Sequence, residues 1–506
     1  MSPEQFAYYA AQGYARVPVV REVLADLDTP VSAYQKLAQG PYSYLFESVQ
    51  GGEQRGRYSI IGLPAKEVLK VQQGRITLCR DGVEEEQTAQ NPLAFIEAYR
   101  QRFLSPEIPG LPRFNGGLVG YFSYDSAAYF MPELNLKDAE DTLGVPDILL
   151  MRSEEVVVFD NLKGSLFIIV LVDPKAPGAV EEAEQRIETL QKKLRSPVPQ
   201  QEDEVLGDPL DESAFVSEFP RETFKAVVAD LKERIAQGEV EQVVPSQRMW
   251  VPFQAEPMSL YRALRHLNPS PYLYFLDLED FYIAGSSPEI LSRVEQGVVT
   301  VRPIAGTRPR GRTPEEDLAL EQELLADPKE VSEHEMLIEL GIRDIEQLAE
   351  PETVEVTDRM VVERYSHVMH LVSNVSGRLR EDCNLMDVLG VTLPAGTLSG
   401  SPKPKAMQLI NQVEPVKRGI YGGAIGYMGF NGGMDQAIAI RTGVIKDQRL
   451  YIQAGAGVVA DSVPEMEWQE TLNKGRALFA AVNMVLRGLT PEQSTGITQA
   501  IKKKDT

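Results

Sequence analysis

The sequence predicts an α+β sandwich, and two observations carry that prediction. Short apolar runs bounded by Gly, Asp or Asn recur through the first half, which is typical of β-strands. In the second half, amphipathic helices alternate irregularly with further strand-like runs, whereas a parallel sheet requires regular alternation. The predicted strands are Tyr42–Phe46, Arg57–Ile61, Arg75–Cys79, Glu155–Phe159, Leu166–Val172, Gln242–Val244, Tyr272–Leu276, Phe281–Ile283, Val298–Val301, Gln436–Ile440 and Arg449–Ile452.

The length of the chain, 506 residues, exceeds the size at which one hydrophobic core keeps growing, so we expect more than one packed unit. A charged helical pattern from Ala179 to Leu194 leads into a Pro- and acid-rich stretch, and the amphipathic helix Glu222–Gln237 follows it. The predicted regions are a sheet-rich N-terminal region at 1–195, a linker at 196–220, a second region at 221–486 and a polar tail at 487–506.

The charge balance restricts the partners of the chain. Its 51 Lys and Arg residues against 74 Asp and Glu residues give a formal net charge of −23. Nucleic acids and anionic membranes bind basic surfaces, so neither is an expected partner. An anionic substrate would need local positive charge from Arg, Lys or a metal ion.

The N-terminal sequence and the cysteines restrict the expected location of the protein and the kinds of site that it can form. The N-terminal residues lack a basic segment followed by an apolar one, so we expect no secretory signal and a cytoplasmic protein. The apolar run Leu166–Val172 is far shorter than the roughly 20 residues of a membrane-spanning helix. The two cysteines, Cys79 and Cys383, permit neither a disulfide framework nor a four-cysteine zinc site.

The segment Pro303–Gly311 reads Pro-Ile-Ala-Gly-Thr-Arg-Pro-Arg-Gly and follows the predicted strand Val298–Val301. We expect a loop there that offers backbone amides, a Thr hydroxyl and two guanidinium groups. This set of donors suits an oxyanion, because guanidinium groups bind carboxylates in a bidentate manner.

Two predicted helices carry closely spaced carboxylates. Glu330 and Glu333 are three residues apart, and Glu467, Glu470 and Lys474 occupy positions i, i+3 and i+7 of another helix. Side chains at these spacings leave one face of a helix. Two such acidic faces could enclose a magnesium ion, which takes one or two carboxylates together with water and substrate oxygens.

Three further motifs follow the Pro303–Gly311 segment in order: Leu393–Lys403 (LPAGTLSGSPK), Tyr421–Tyr427 (YGGAIGY) and Gln453–Ser462 (QAGAGVVADS). With that segment they resemble the chorismate-utilising enzymes, and within them the large (component I) subunits of anthranilate synthase. The resemblance spans nearly the whole chain. It implies antiparallel sheets that form a sandwich with helices outside.

The resemblance also implies a function. It predicts a magnesium-dependent lyase that converts chorismate and ammonia to anthranilate and pyruvate, the first step of tryptophan biosynthesis, under feedback inhibition by tryptophan. Ammonia would come from a separate glutamine amidotransferase subunit (component II), because neither cysteine lies on the tight Gly-rich turn that a glutaminase nucleophile requires.

Site residues are carried over position by position. The resemblance implies that Glu289 assists departure of the C4 hydroxyl and that His370 takes part in pyruvate elimination. The implied catalytic residues are Glu289, Thr307, His370 and Lys474. The implied substrate-binding residues are Gln242, Ala305, Gly306, Glu330, Tyr421, Arg441, Gly455, Gly457 and Glu467. The implied magnesium ligands are Glu333 and Glu470.

Two of these positions bear on the branch of the family. Ala305 stands where aminodeoxychorismate synthases usually have a lysine, and Ala cannot act as an amine nucleophile. Gln242 stands where isochorismate and salicylate synthases have a lysine that activates water, and Gln is no general base. Both residues favour anthranilate as the product; component I of aminodeoxychorismate synthase is the alternative enzyme.

A regulatory motif completes the resemblance. Leu45–Ser48, with the following Gly51–Ser59, and Asn268–Tyr272 resemble the tryptophan feedback motif of the family. The implied tryptophan-binding residues are Glu47, Ser48, Pro271, Tyr272 and Leu273. The run Leu340–Asp344 departs from the usual Leu-Gly-Arg-Asn-Asp, which leaves a non-catalytic, tryptophan-binding regulatory subunit as a third hypothesis.

Overall fold

A computed structural model describes residues 3–48, 56–132, 134, 136, 139–199, 205–365 and 368–490. Of the features predicted above, residues 49–55 of the regulatory motif, 200–204 of the linker and 491–506 of the tail lie outside the described residues.

The helices and strands of the described chain have the following bounds. The α-helices are α1 Pro3–Ala11, α2 Pro30–Leu37, α3 Pro92–Gln101, α4 Ala127–Phe130, α5 Ala179–Leu194, α6 Arg221–Ala236, α7 Pro257–Leu267, α8 Pro314–Ala326, α9 Pro328–Glu346, α10 Leu385–Thr392, α11 Gly396–Ser399, α12 Lys403–Val413 and α13 Pro464–Leu486. The strands are β1 Val17–Leu24, β2 Ser43–Glu47, β3 Tyr58–Gly62, β4 Glu67–Gln72, β5 Arg75–Arg80, β6 Val83–Gln87, β7 Gly117–Phe122, β8 Ile148–Ser153, β9 Glu155–Asp160, β10 Ser165–Val172, β11 Val216–Ser217, β12 Gln242–Val243, β13 Ser246–Pro252, β14 Tyr272–Asp277, β15 Phe281–Ser287, β16 Ile290–Glu295, β17 Val298–Val301, β18 Ile304–Pro309, β19 Glu355–Arg364, β20 Val368–Arg378, β21 Gly400–Ser401, β22 Ala424–Gly429, β23 Met434–Ile438, β24 Thr442–Lys446 and β25 Arg449–Gly455.

Two large sheets dominate the fold. The first has the order β1-β10-β9-β3-β2-β14-β15-β24-β25-β13-β11, and the second has the order β18-β20-β17-β16-β23-β22-β7-β8-β4-β5-β6, with β19 also paired to β20. Pairings within both sheets are antiparallel throughout the described strands; for example, β2 pairs with β14 and β7 with β22. The predicted α+β class with antiparallel sheets is therefore confirmed.

The sheets stack face to face, and helices cover their outer surfaces. The space between them is filled by residues from both sheets, including Tyr121 and Tyr274. Helices α5, α7 and α13 pack on the outer face of the first sheet, and α3, α9 and α10 pack on the second. Among the described residues, no helix combines the length and the apolar character that crossing a membrane requires.

Both sheets mix strands from the predicted regions 1–195 and 221–486. In the first sheet Leu45 of β2 pairs with Phe275 of β14, and in the second Tyr121 of β7 pairs with Ile425 of β22. The end of the predicted linker at 196–220 also needs correction, because β11 pairs with β13 and belongs to the first sheet. The two regions therefore share their hydrogen-bonded framework.

Candidate active site

The segment Pro303–Gly311 differs from the predicted loop. Residues 304–309 form strand β18, which pairs with β20 and carries a bulge between Ala305 and Thr307. Gly306 sits at the bulge with φ +67°, a conformation that favours glycine. The bulge turns Thr307 toward the neighbouring strand, where its Oγ1 lies 3.0 Å from His370 Nδ1.

The imidazole of His370 is held by the same bulge. Its Nδ1 also lies 3.0 Å from the carbonyl oxygen of Gly306, which can only accept, so the ring donates from Nδ1. The other ring nitrogen, Nε2, is then the proton acceptor. Burial lowers the pKa of His370, and the charge of Arg441 acts in the same direction, whereas the Gly306 hydrogen bond raises it. The ring is therefore neutral near pH 7.

The two guanidinium groups of this segment do not face an open oxyanion site, contrary to the prediction. Arg308 binds Glu323 at 2.8 Å and Asp327 at 2.7 Å. Arg310 binds Asp317 at 2.7 Å and donates to the carbonyl of Tyr365 at 2.6 Å. These arginines attach β18 to helices α8 and α9, and other cations must bind an anionic substrate.

Glu289 lies between β15 and β16, where its main chain is fixed by the neighbouring strand β23 through the bond from the Ile438 amide at 3.0 Å. Its Oε1 accepts a hydrogen bond of 3.2 Å from Thr397. Burial raises the pKa of Glu289 from 4.5 to about 7, although the Thr397 hydrogen bond and the charge of Lys474 oppose the shift. Near neutral pH a substantial fraction of this carboxyl group is therefore protonated and able to donate.

Helix α13 begins at Pro464 and carries the predicted acidic face. Lys474 Nζ lies 3.4 Å from Glu470 Oε1, one helical turn away, and donates to the carbonyl of Gly455 at 3.0 Å. Burial raises the pKa of Glu467, and the nearby charge of Glu470 adds to the shift. The predicted placement of these side chains on one face of a helix is confirmed.

Tyr421, Gly455 and Gly457 converge beside this helix. A Cβ atom on Gly455 would lie 2.8 Å from the Tyr421 hydroxyl oxygen, and one on Gly457 would lie 2.8 Å from Gln242 Nε2. A side chain on Gly455 would also meet the carbonyl oxygen of Pro245 at 2.9 Å, so this position favours glycine. The side chain beside Gly457 is therefore the amide of Gln242, which cannot act as a general base.

Arg441 follows β23 with φ +52°, and no hydrogen bond or ion pair of its guanidinium group is found among the described residues. Burial lowers the pKa of Arg441, while the charges of Glu470 and Tyr421 raise it. A partly desolvated guanidinium group without a protein partner is suited to a carboxylate ligand. We regard Arg441 as the main cation of the site.

Electrostatic interactions join these side chains into one site. Arg441 is within electrostatic range of Glu470, Tyr421 and His370, and Lys474 is within range of Glu289. The sequence prediction that these residues act together is thus consistent with the fold.

Helix α9 carries the other two carboxylates of the predicted metal site, Glu330 and Glu333. Asp327 caps this helix through the amides of Lys329 and Glu330, and Glu330 Oε1 lies 3.7 Å from Arg308. Glu333 is exposed one turn further along. In the described chain, no group of three or more His, Cys, Asp or Glu side chains forms a ready-made metal cage. The donor set nevertheless fits magnesium, which needs only one or two carboxylates beside water and substrate oxygens.

The unusual run Leu340–Asp344 continues α9 without interruption. Glu335, on the same helix, is half-exposed and pairs with Arg359. Arg343 lies 3.9 Å from Glu339 on the solvent side. These departures lie on a regular helix, so they leave its acidic first turns in place.

Sequence reasoning assigned no role to Arg418, although the residue organises the site. Its guanidinium group is fully buried, binds Glu414 at 2.6 Å, and donates to the carbonyls of Leu398 at 2.7 Å and Val244 at 2.6 Å. These contacts tie together the segments that carry Thr397, Gln242 and Tyr421. The available signal was a pair of charged residues, Lys417 and Arg418, shortly before the Tyr421–Tyr427 motif.

Replacing Arg418 should destabilise the protein. We expect Arg418→Leu to lower the free energy of unfolding by about 3–5 kcal/mol, because Glu414 would remain buried without its partner. Chemical denaturation followed by circular dichroism measures the change. Arg476→Leu is the control: its ion pair with Glu212 is exposed, so its loss should cost less than about 1 kcal/mol. Equal losses in the two variants would contradict this assignment.

A cavity of about 410 Å³ lies between the two sheets, and Pro288 and Ile290, the chain neighbours of Glu289, border it. All five residues of the predicted tryptophan motif border it, namely Glu47, Ser48, Pro271, Tyr272 and Leu273. Arg57, from the second part of the motif, also borders it, whereas sequence reasoning missed wall residues from distant segments: Phe114, Arg293, Ile425, Tyr427 and Asp435. The volume suits an amino acid with a large aromatic side chain.

Contacts within the cavity modify the predicted roles of the motif. Glu47 is buried, accepts hydrogen bonds from Arg265 at 2.8 and 3.1 Å, and also binds the hydroxyl of Tyr261. A ligand ammonium group would therefore share this carboxylate with residues of α7. Tyr272 donates to Asp435 at 2.9 Å, which fixes its ring against the cavity.

Comparisons with known proteins identify the family of the chain. The sequence profile of the family described as "chorismate binding enzyme" matches residues 43–480. "Anthranilate synthase component 1" of Pseudomonas putida is 54% identical over 484 residues, which cover 95% of this chain and 98% of that protein. The protein of the same name from Neisseria meningitidis serogroup B is 54% identical over 494 residues, covering 97% and 99%.

Solved structures are similar as well. Anthranilate synthase component I from Streptococcus pneumoniae TIGR4 has a TM-score of 0.76 and 38% identity, with 90% of this chain and 99% of that chain covered. The menaquinone-specific isochorismate synthase of Escherichia coli shares the fold, with a TM-score of 0.67 at 20% identity, covering 95% and 98%. The chain belongs to the chorismate-binding enzyme family, within its group of anthranilate synthase component 1 proteins.

Proposed function

We propose that this chain is the large subunit of an anthranilate synthase, which converts chorismate and ammonia to anthranilate, pyruvate and water. The observation that carries the proposal is the pairing of an acid and an amide. Glu289 has a pKa of about 7, and Gln242 beside Gly457 offers no base to activate water. Ammonia is nucleophilic without such a base, so it is the expected attacking group.

Cationic side chains bind the dicarboxylate substrate in this proposal. Arg441 offers a guanidinium group without a partner among the described residues, and Lys474 of α13 pairs with Glu470, whose charge also acts on Arg441. The Tyr421 hydroxyl, whose pKa burial raises to about 12, stays protonated and able to donate. These groups offset locally the net charge of −23, which would otherwise repel chorismate.

Glu289 protonates the departing C4 hydroxyl. The nitrogen lone pair of ammonia forms the new bond at C2, the ring double bonds shift, and the C4–O bond breaks to release water. The acid is available because its buried carboxyl group holds a proton near pH 7. The attached nitrogen releases one proton, which replaces the proton that Glu289 gave up, so the step needs no oxidant or reductant.

Elimination of pyruvate needs a base. His370 is neutral and donates from Nδ1 to Gly306, which leaves Nε2 to accept the proton from ring carbon C2. The electrons of that C–H bond complete the aromatic ring as the enolpyruvyl C–O bond breaks. Thr307, 3.0 Å from the imidazole, stands where the resemblance implies a contact with the substrate hydroxyl.

Magnesium completes the proposal. Glu333 and Glu470 would hold the ion, with Glu330 and Glu467 as outer partners. The bound ion would neutralise a substrate carboxylate, an electrostatic contribution that suits an acidic protein.

Ammonia is proposed to come from a separate glutamine amidotransferase subunit. Cys79 lies buried within β5, and burial raises the pKa of the Cys383 thiol. Burial keeps Cys79 from acting as an exposed nucleophile, and Cys383 lacks the lowered pKa that a glutaminase nucleophile requires. We retain the cytoplasm as the proposed location of both subunits.

Feedback inhibition by tryptophan is assigned to the cavity between the sheets. Ser48 and Glu47 would bind the ammonium group, while Pro271 and Tyr272 would flank the indole ring. For inhibition, tryptophan must bind the inactive conformation more tightly, and chorismate must oppose it.

Removal of one hydroxyl group tests the regulatory site. We expect Ser48→Ala to raise the tryptophan concentration for half-inhibition about ten-fold through loss of a hydrogen bond. The KM for chorismate without tryptophan should not change. Initial rates at several tryptophan concentrations measure both values. An unaltered inhibition curve would remove Ser48 from the site.

Product identification tests the proposed reaction. The purified chain is mixed with chorismate, a magnesium salt and an ammonium salt, and the products are identified by mass spectrometry. Anthranilate that disappears when magnesium is omitted supports the proposal. Aminodeoxychorismate would indicate the alternative synthase, and no turnover despite tryptophan binding would indicate a regulatory subunit.

A further inference from the structure

A second cavity, of about 20 Å³, lies beside Tyr421 on the side of β24 and β25. Its volume is sufficient for one molecule of the size of water or ammonia. Gln453, Arg248, Arg418 and Val444 contribute to its wall. The roles assigned above leave this space without a function.

Gln453 brings an unpartnered acceptor to this cavity. The residue is 8% exposed, and its Nε2 donates to Ser246 Oγ at 2.8 Å, whereas its Oε1 is buried and has no hydrogen-bond partner in the described part of the chain. Buried polar atoms nearly always have a partner. The amide is therefore prepared for a small molecule that donates a hydrogen bond.

The two arginines of the wall favour a neutral occupant. Arg248 binds Glu218 at 2.7 Å and the carbonyl of Lys417 at 3.1 Å, and Arg418 is fully engaged with Glu414 and main-chain carbonyls. Their positive charges disfavour a cation such as ammonium. The acceptor on Gln453 disfavours an anion, so a neutral N–H or O–H donor fits best.

The cavity adjoins the substrate site. Gln453 and Gly455 are two residues apart in β25, so their positions lie on the same face of the sheet about 7 Å apart. Gly455 approaches the Tyr421 hydroxyl and accepts a hydrogen bond from Lys474. A molecule bound to Gln453 is therefore about 7 Å along β25 from Gly455, which lies among the groups assigned to chorismate.

We infer that this cavity binds one molecule of neutral ammonia through Gln453 before the attack on C2. The inference rests on the proposed function, because it concerns the second substrate of that reaction. Retention there would place the nucleophile beside the ring and out of contact with bulk water.

Exchange of the amide for an apolar side chain of similar size tests the site. Gln453→Met should raise the KM for the ammonium salt about ten-fold, with the KM for chorismate changed less than two-fold. Gln436→Met is the matched control, because Gln436 is also buried with an unpartnered Oε1 but lies in β23. Its KM for ammonium should not change. A Gln453→Met protein with an unchanged KM for ammonium would show that the cavity holds water only.

A variant of the wall gives an independent test if Gln453→Met does not fold. Val444→Ala enlarges the cavity, so methylamine should gain about ten-fold in kcat/KM relative to ammonia, with N-methylanthranilate as product. An unchanged ratio would overturn the inference. Failure of the proposed function is distinguishable, because the wild-type chain would then form no anthranilate from ammonia.

Discussion

Glu289→Gln should lower kcat for anthranilate formation by about 10³-fold, because the amide cannot supply the proton that the departing hydroxyl requires. The substitution preserves the shape of the side chain and its contact with Thr397. The KM for chorismate should change little, since Arg441 and Lys474 remain. Steady-state kinetics with chorismate and a saturating ammonium salt measures both constants. A kcat within about ten-fold of the wild-type value would exclude Glu289 as the acid.

The pH dependence of kcat also tests the assignment of Glu289 as the acid. The acid must be protonated to act, and its pKa is about 7, so kcat should fall as the pH rises through about 7. The Thr397 hydrogen bond lowers the pKa of Glu289. Thr397→Val should therefore raise that pKa and move the decline in kcat to higher pH. A decline that stays in place in this variant would assign it to another group.

Glu470→Ala should reduce turnover of chorismate by at least about 10²-fold and weaken the dependence on magnesium. The substitution removes a proposed ligand and the carboxylate that faces Arg441 and Lys474. Rates across a magnesium titration, together with calorimetry of magnesium binding, measure the two effects. Unchanged turnover would refute the proposed ligand.

A neighbouring carboxylate provides the control for this variant. Glu465 lies on the same helix but pairs with Arg221 and Lys225 on the surface. Glu465→Gln should leave the magnesium titration unchanged. An equal loss in both variants would point to the net charge of α13 instead of a specific ligand.

Much of the fold was predictable where local pattern and tertiary packing agree. Helix Ala179–Leu194 and strand Val298–Val301 have the predicted bounds, because their apolar residues repeat with the period of one element only. β18 was missed because Pro, Gly and Arg obscure its alternation. Its strand conformation comes from pairing with β20, which is distant in sequence.

The candidate site was predictable in its residues but not in all of its contacts. Motif resemblance indicated Glu289, yet the Thr397 hydroxyl that binds it comes from a separate segment. Likewise Arg308 and Arg310 suited an oxyanion by type, and only the fold reveals the carboxylates that already bind them. Partners separated along the chain are set by topology, which residue types alone do not specify.

The sharing of both sheets between the two halves has a consequence for synthesis on the ribosome. β2 cannot pair with β14, nor β7 with β22, until residues 272–277 and 424–429 have emerged. The nascent N-terminal half therefore exposes unpaired strand edges for most of translation, a state prone to aggregation. We therefore expect the yield of folded protein to depend more on chaperones that cover those edges than on the rate of the last folding step.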